Sequence, residues 1–157
     1  MRAHRPVKVR HGAAALDASA ARTYGGRWNR PGTALDYASE SIALAALELL
    51  IHLHRGESLS SYRRFTLIIP DATILTLDES ALPGDWRAEP APTSTALLGD
   101  RWVASGAPVA LSAPSTVIPE ERNVLLNPAH EVFAAIAAGA TEAPFGYDPR
   151  LARSPAP

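Results

Sequence analysis

The chain has 157 residues, a formal charge of -1 and a pI near 6.5; 46% of its residues are hydrophobic and 20% charged. That is enough chain for one domain with a real core, and the near-neutral balance points to no nucleic acid or other charged partner. Cysteine is absent, which excludes disulfides and thiolate metal sites and fits a reducing cytoplasm.

The basic start, Met1 to Arg10, is followed by no apolar segment that would make a secretory signal. No run approaches the roughly 18 apolar residues that span a bilayer. A cytoplasmic protein without membrane contact is the expectation. Residues Pro6 to Arg10 predict a short strand, followed by a loop or alanine-rich turn. Gly25-Gly26 and Pro31-Gly32 are turn signals, and between them Arg27-Trp28-Asn29 reads as a short strand between two bends. Ala34 to Ala38 predicts another brief strand.

Ser39 or Ser41 can cap the next helix, with Glu40 placed against its N-terminal dipole. From Ile42 to Leu53 every residue but Glu48 and His52 is apolar, so protein is expected to cover nearly every face of this central helix. Gly56 is its stop signal. Arg64 to Pro70 and Ala72 to Leu77 read as strands joined by a Pro-Asp turn. Leu82 to Thr93, rich in proline, is a long loop, and Ser94 to Ser105 an amphipathic helix interrupted by Gly99. Pro108 to Leu111, Val117-Ile118 and Asn123 to Pro128 look extended. His130 to Ala138 fits helix or strand. Strands and helices mixed without regular β-α-β alternation make an α+β fold, a single domain over residues 1–153 with a disordered tail over residues 154–157.

Several chemistries fall away on spacing. The glycine-rich segment has neither the Gly-Lys-Ser/Thr of a phosphate loop nor a dinucleotide fingerprint, and no Gly-x-Ser-x-Gly elbow exists for a serine hydrolase. His52 and His54, two apart on a helix, point to different sides, and no third ligand stands at a recognised metal spacing. Glu48 is the informative charge. On so apolar a helix a carboxylate must be paired, hydrogen-bonded or neutral, either in a structural link to an arginine or His52, or beside a ligand cleft. Arg27 is equally open: its planar fork suits Glu48 itself or a diphosphate. Trp28 suits a core or a ligand platform, Asn29 a turn, and Tyr37 is the aromatic least explained as filler.

Taken in order, Gly-Gly-Arg-Trp-Asn-x-x-Gly at 25 to 32, Tyr-Ala-Ser-Glu-Ser at 37 to 41, Ala-Leu-Glu-x-Leu-x-His at 46 to 52 and Pro-Ser-x-x-Ile-Pro-Glu-Glu-Arg-Asn-Val-Leu-Leu-Asn-Pro-x-His at 114 to 130 resemble the RES-domain family. With the closing Phe-x-Tyr-Asp-Pro-Arg-Leu, the match runs from about Leu16 to Leu151. Two positions depart from the pattern. Arg5 and Arg10 compete for the arginine of the opening strand, and Asp36 stands where an apolar residue normally precedes the tyrosine.

The resemblance implies a domain with mixed sheets similar to the catalytic domain of ADP-ribosyltransferase toxins. It implies the toxin of a bacterial type II toxin-antitoxin pair that takes NAD as substrate, without a metal, and splits the nicotinamide-ribose bond by hydrolysis or phosphorolysis; ADP-ribosyl transfer to a protein is the alternative. Carried over by position, Arg27, Tyr37, Glu48 and Ser115 would be catalytic, and Arg27, Trp28, Asn29, Tyr37 and Ser39 would hold NAD. Glu48 would stabilise the oxocarbenium-like ribose, Arg27 bind the diphosphate, Tyr37 stack on nicotinamide or hold its ribose, and Ser115 donate a hydrogen bond. The implied partner is an Xre-type helix-turn-helix antitoxin covering the active site; a homodimer through the apolar helix or Trp102 is a further expectation. A non-enzymatic module that holds a DNA-binding partner is the third reading.

Overall fold

The sequence order of the elements is β1 (Arg2–Lys8), α1 (Ser19–Tyr24), β2 (Asp36–Ser39), α2 (Ile42–His52), β3 (Tyr62–Ile68), β4 (Ile74–Thr76), α3 (Thr93–Ala104), β5 (Ala110–Pro114), β6 (Arg122–Leu126), α4 (Phe133–Ala138) and β7 (Thr141–Pro144). They are seen in a computed structural model that describes residues 1–10, 15–53, 61–106, 108–146 and 148. His54, Gly56 and the tail 154–157 lie outside the described residues.

The seven strands form one sheet in the order β4-β5-β6-β2-β1-β3-β7. Every neighbouring pair is antiparallel except β4 with β5. Only residues 69–73 join β3 to β4, although these strands stand sixth and first in the sheet. Five gaps of ~4.8 Å would put them ~24 Å apart in a flat sheet. Even fully extended, the six Cα–Cα steps from Ile68 to Ile74 span at most about 22 Å, and Asp71–Thr73 form a turn of 3₁₀ helix. The sheet therefore curves strongly, bringing its two ends toward each other.

Strand alternation divides the core. On one face Ala38, Ala110, Val124 and Leu126 pack with Leu67, Phe133 and Ile136, under α4. On the other, Leu111, Ala113 and Leu125 pack with Trp28, Leu35 and Trp102, the last from α3. Tyr37 joins this second cluster from β2, and the register pairs Tyr37 with Leu125 and Ser39 with Asn123. Tyr37, Ser39 and Asn123 thus share one face of adjacent strands.

Several local expectations are corrected. Arg27-Trp28-Asn29 is not a strand but a tight turn closed by one bridge between Gly26 and Asn29. Val117-Ile118 is not a strand either: its backbone wraps the Ser115 hydroxyl, to which both residues donate their N–H. The helix α2 forms as expected and is capped by Ser41, whose Oγ accepts from Leu44 N at 3.0 Å. It is not covered on every face, however. Only Leu44 and Ala45 are buried, while Ile42 and Ile51 are 40% and 59% exposed. Position explains it: α2 packs along β1 and β2, which cover one side of the cylinder and leave the other to solvent. Glu40 does not serve the helix dipole alone; its Oε1 accepts from Arg122 N at 2.7 Å and ties the start of α2 to β6.

Candidate active site

The glycine-rich turn is held from three directions. Asn29 donates from Nδ2 to the carbonyls of Ala21, Arg30 and Thr33, and its Oδ1 accepts from the Tyr37 hydroxyl at 2.7 Å. That hydroxyl in turn accepts from Trp28 N at 3.0 Å. Burial pushes the Tyr37 phenol above its usual range, so it stays protonated and keeps donating to Asn29. Gly26 makes this contact possible: a Cβ there would stand 2.6 Å from Tyr37 Oη. Trp28 is core, 2% exposed beside Trp102 and Leu125.

Arg27 projects the other way, onto the loop before α3. Its Nη1 donates to the carbonyls of Trp86 and Ala88 at 2.9 and 3.0 Å, and its Nη2 pairs with Glu89 Oε2 at 3.0 Å. Of the two readings open for Arg27, the structural pair with Glu48 is not formed. The backbone of the turn is clamped as well, because the Thr95 hydroxyl of α3 donates to Arg27 O at 2.7 Å.

Glu48 takes its partners from the far end of the chain. Ser115 Oγ donates to Glu48 Oε1 at 2.7 Å, and Asn123 Nδ2 donates to the same oxygen at 2.5 Å. Ser39 Oγ donates to Asn123 Oδ1 at 2.8 Å. Among the described residues, neither an arginine nor His52 is its partner. A carboxylate fed by two polar side chains, one of them the fully buried Ser115, is held in a fixed orientation while still half-buried at the molecular surface. Ser115 is placed by β5 and by its own N–H, which donates to Glu121 O. Glu121 Oε2 also accepts from Ser41 Oγ at 2.6 Å, so the cap of α2 and the segment carrying Ser115 are bonded together.

The sequence-derived residues therefore fall into two hydrogen-bonded groups. Glu48, Ser115 and Ser39 form one, the last through Asn123, and Trp28, Asn29 and Tyr37 the other; Arg27 lies in the same turn as the second group, but its side chain bonds to residues 86–89 instead. Strand β2 joins them, carrying Tyr37 and Ser39 two residues apart on one face. What sequence reading missed is Asn123. The signal was there: in the run Asn123 to Leu126 it shares a face with buried Leu125, and a polar side chain in that position needs a partner.

Of the competing N-terminal arginines, Arg5 enters the interior. Its Nη1 stands 2.5 Å from Asp36 Oδ1 and donates to Tyr37 O, while its Nε donates to Ala15 O. Asp36 is the unexpected polar residue of β2; it is wholly buried in the strand. Among the described residues no group of three or more His, Cys, Asp or Glu side chains could hold a metal ion. A cavity of about 370 Å³ at Val9, Tyr62, Arg63 and Phe145 shares no residue with either hydrogen-bonded group.

A curved mixed sheet flanked by helices defines an α+β domain. A toxin-antitoxin complex of M. tuberculosis, MbcT–MbcA, contains a chain of the same fold, with a TM-score of 0.62 at 16% identity, covering 80% of this chain and 72% of that one. The RES domain matches residues 1–148, and the chain belongs to the RES-domain family. A "Toxin Res" of Yersinia enterocolitica is 38% identical over 96% of this chain and 99% of its own length. Another, of Photorhabdus laumondii, is 32% identical over 96% and 97%. A "Prs ADP-ribosylating toxin" of a Sphingobium species is 38% identical over 88% and 87%. The chain is thus a homologue of toxins.

Proposed function

We propose that this protein is the toxin of a type II toxin-antitoxin pair and that it consumes NAD by cleaving the bond between nicotinamide and ribose. The observation that carries this reading is the Glu48 carboxylate, fixed by Ser115 and Asn123 on the sheet face that also presents Tyr37. As the C1′–N bond breaks, its electron pair goes to the nicotinamide nitrogen, which leaves as a neutral ring, and positive charge develops on the ribose. A carboxylate held in advance stabilises that charge without reorganising. Water or phosphate then bonds to C1′ and releases its proton to solvent. Arg27 is the cation suited to the diphosphate, and the Tyr37 ring, its hydroxyl already engaged, is suited to stacking.

The test is to incubate purified protein with NAD, with and without phosphate, and to follow nicotinamide release. Turnover supports the reading; a folded preparation that releases no nicotinamide under either condition overturns it. The Sphingobium relative, an ADP-ribosylating toxin by name, favours a second reaction, ADP-ribosyl transfer to a protein. Labelled NAD incubated with cell extract separates the two, since transfer leaves label on a protein band. The partner we propose is an Xre-type helix-turn-helix antitoxin, supported by the toxin-antitoxin complex that shares the fold and by the exposed apolar residues Ile42 and Ile51 of α2. Light scattering of the protein alone and with the product of a neighbouring gene distinguishes this from a homodimer. No helix among the described residues is long and apolar enough to cross a membrane.

A further inference from the structure

Behind the Asn123 amide that helps to fix Glu48 stands a second donor, Ser39, to which the reaction above gives no part. Asn123 stands directly across from Ser39 in the β2–β6 ladder, and Ser39 is 4% exposed. The two ends of an asparagine amide differ only in whether they donate or accept. Here Nδ2 faces Glu48 Oε1 at 2.5 Å and Oδ1 faces Ser39 Oγ at 2.8 Å. Turning the amide over would set two acceptor oxygens against each other at Glu48. The Ser39 proton, donated to Oδ1, secures the productive direction from behind. Both hydrogen bonds that Glu48 accepts from described residues fall on Oε1 rather than Oε2.

We propose that Asn123 is a positioning residue for Glu48 and that Ser39 orients its amide, so that Ser39 acts behind the carboxylate rather than as a contact for NAD. The catalytic consequence rests on the NAD reading; the hydrogen-bond chain does not. Asn123→Ala frees the carboxylate to rotate away from the ribose, and misplacing a reacting group by about 1 Å costs on the order of 100-fold. The expected result is a fall in kcat of about 10- to 100-fold with KM for NAD within about threefold of wild type. Ser39→Ala gives a smaller fall in kcat, and the double variant is no worse than Asn123→Ala alone, because both act through one amide.

An independent readout is the side-chain amide resonance of Asn123, identified by its loss in Asn123→Ala. It shifts in Ser39→Ala and in Glu48→Gln if the chain is intact. A rise in KM with kcat preserved would make Asn123 a substrate contact and overturn the proposal, as would additive losses in the double variant or an amide resonance unmoved by Ser39→Ala. If wild-type protein releases no nicotinamide, the proposed function has failed, and the amide resonance alone decides the positioning.

Discussion

Glu48 and Arg27 show what one residue's surroundings permit. Glu48→Gln keeps a carbonyl oxygen that can still accept from Ser115 and Asn123, so the local geometry survives at a cost of about 1 kcal/mol or less. It loses the negative charge that the ribose requires. We expect nicotinamide release to fall at least ~100-fold while the melting temperature moves by only a few degrees; a large drop in melting temperature would return Glu48 to a structural role. Arg27 poses a different test, because its guanidinium already holds Glu89, a side chain 83% exposed. An exposed pair contributes about 0–1 kcal/mol, so Glu89→Ala should leave the melting temperature nearly unchanged. If Arg27 binds the diphosphate, Glu89 competes with it, and Glu89→Ala should lower KM for NAD. A raised KM would mean that the loop carrying Glu89 belongs to the substrate site. The sequence carried Arg27 and Glu48 as candidates, but their partners come from residues 86–89 and 115–123, and no local pattern announces a contact made across 59 to 75 positions.

At the scale of elements, the clearest constraint is the approach of α3 to the glycine-rich turn. Gly99, which reads in sequence as an interruption, is where the helix meets that turn: a Cβ would stand 1.8 Å from Trp28 O. Helix propensity alone says that Gly99→Ala should stabilise by about 1 kcal/mol. Overpacking says that it should cost about 1–3 kcal/mol or more. The contact is with backbone that Tyr37 and Thr95 already pin, so the second effect wins and the melting temperature should fall by roughly 5 °C or more; thermal unfolding gives the sign directly. Elements with strong local patterns, such as α2, α3 and β3, were legible. The strand β7, Thr141–Pro144, was not, because an edge strand carrying Thr, Glu and Pro has no apolar alternation to betray it. Nor was the exposed side of α2: an apolar helix face looks the same in sequence whether a sheet, a partner or solvent lies against it.

For the whole molecule, the buried Arg5–Asp36 pair sets a pH dependence of stability that runs against the usual direction for carboxylates. Burial raises the Asp36 carboxyl from its ordinary value of 3.8 to about 6; Arg5 opposes that rise and Asp17 adds to it. Arg5 is near enough to pair, but its Nη1 also donates to Tyr37 O, and neither Asp36 oxygen receives a hydrogen bond from a described residue. In the unfolded chain Asp36 ionises near its ordinary value, while in the folded protein it keeps its proton to about pH 6. Between those values the folded state binds more protons, so this residue's contribution is fully present below pH 3.8 and is lost as pH rises through about 6. The gap between 3.8 and about 6 corresponds to roughly 2–3 kcal/mol. Urea unfolding of wild type and Asp36→Asn between pH 4 and pH 7 isolates the effect, because the variant retains every other titrating group. The difference in stability should move in the variant's favour as pH rises, by up to that amount, and level off above about pH 6.5. Movement in the opposite direction would mean that Arg5 stabilises the ionised carboxylate fully and that the pair is a conventional salt bridge between β1 and β2.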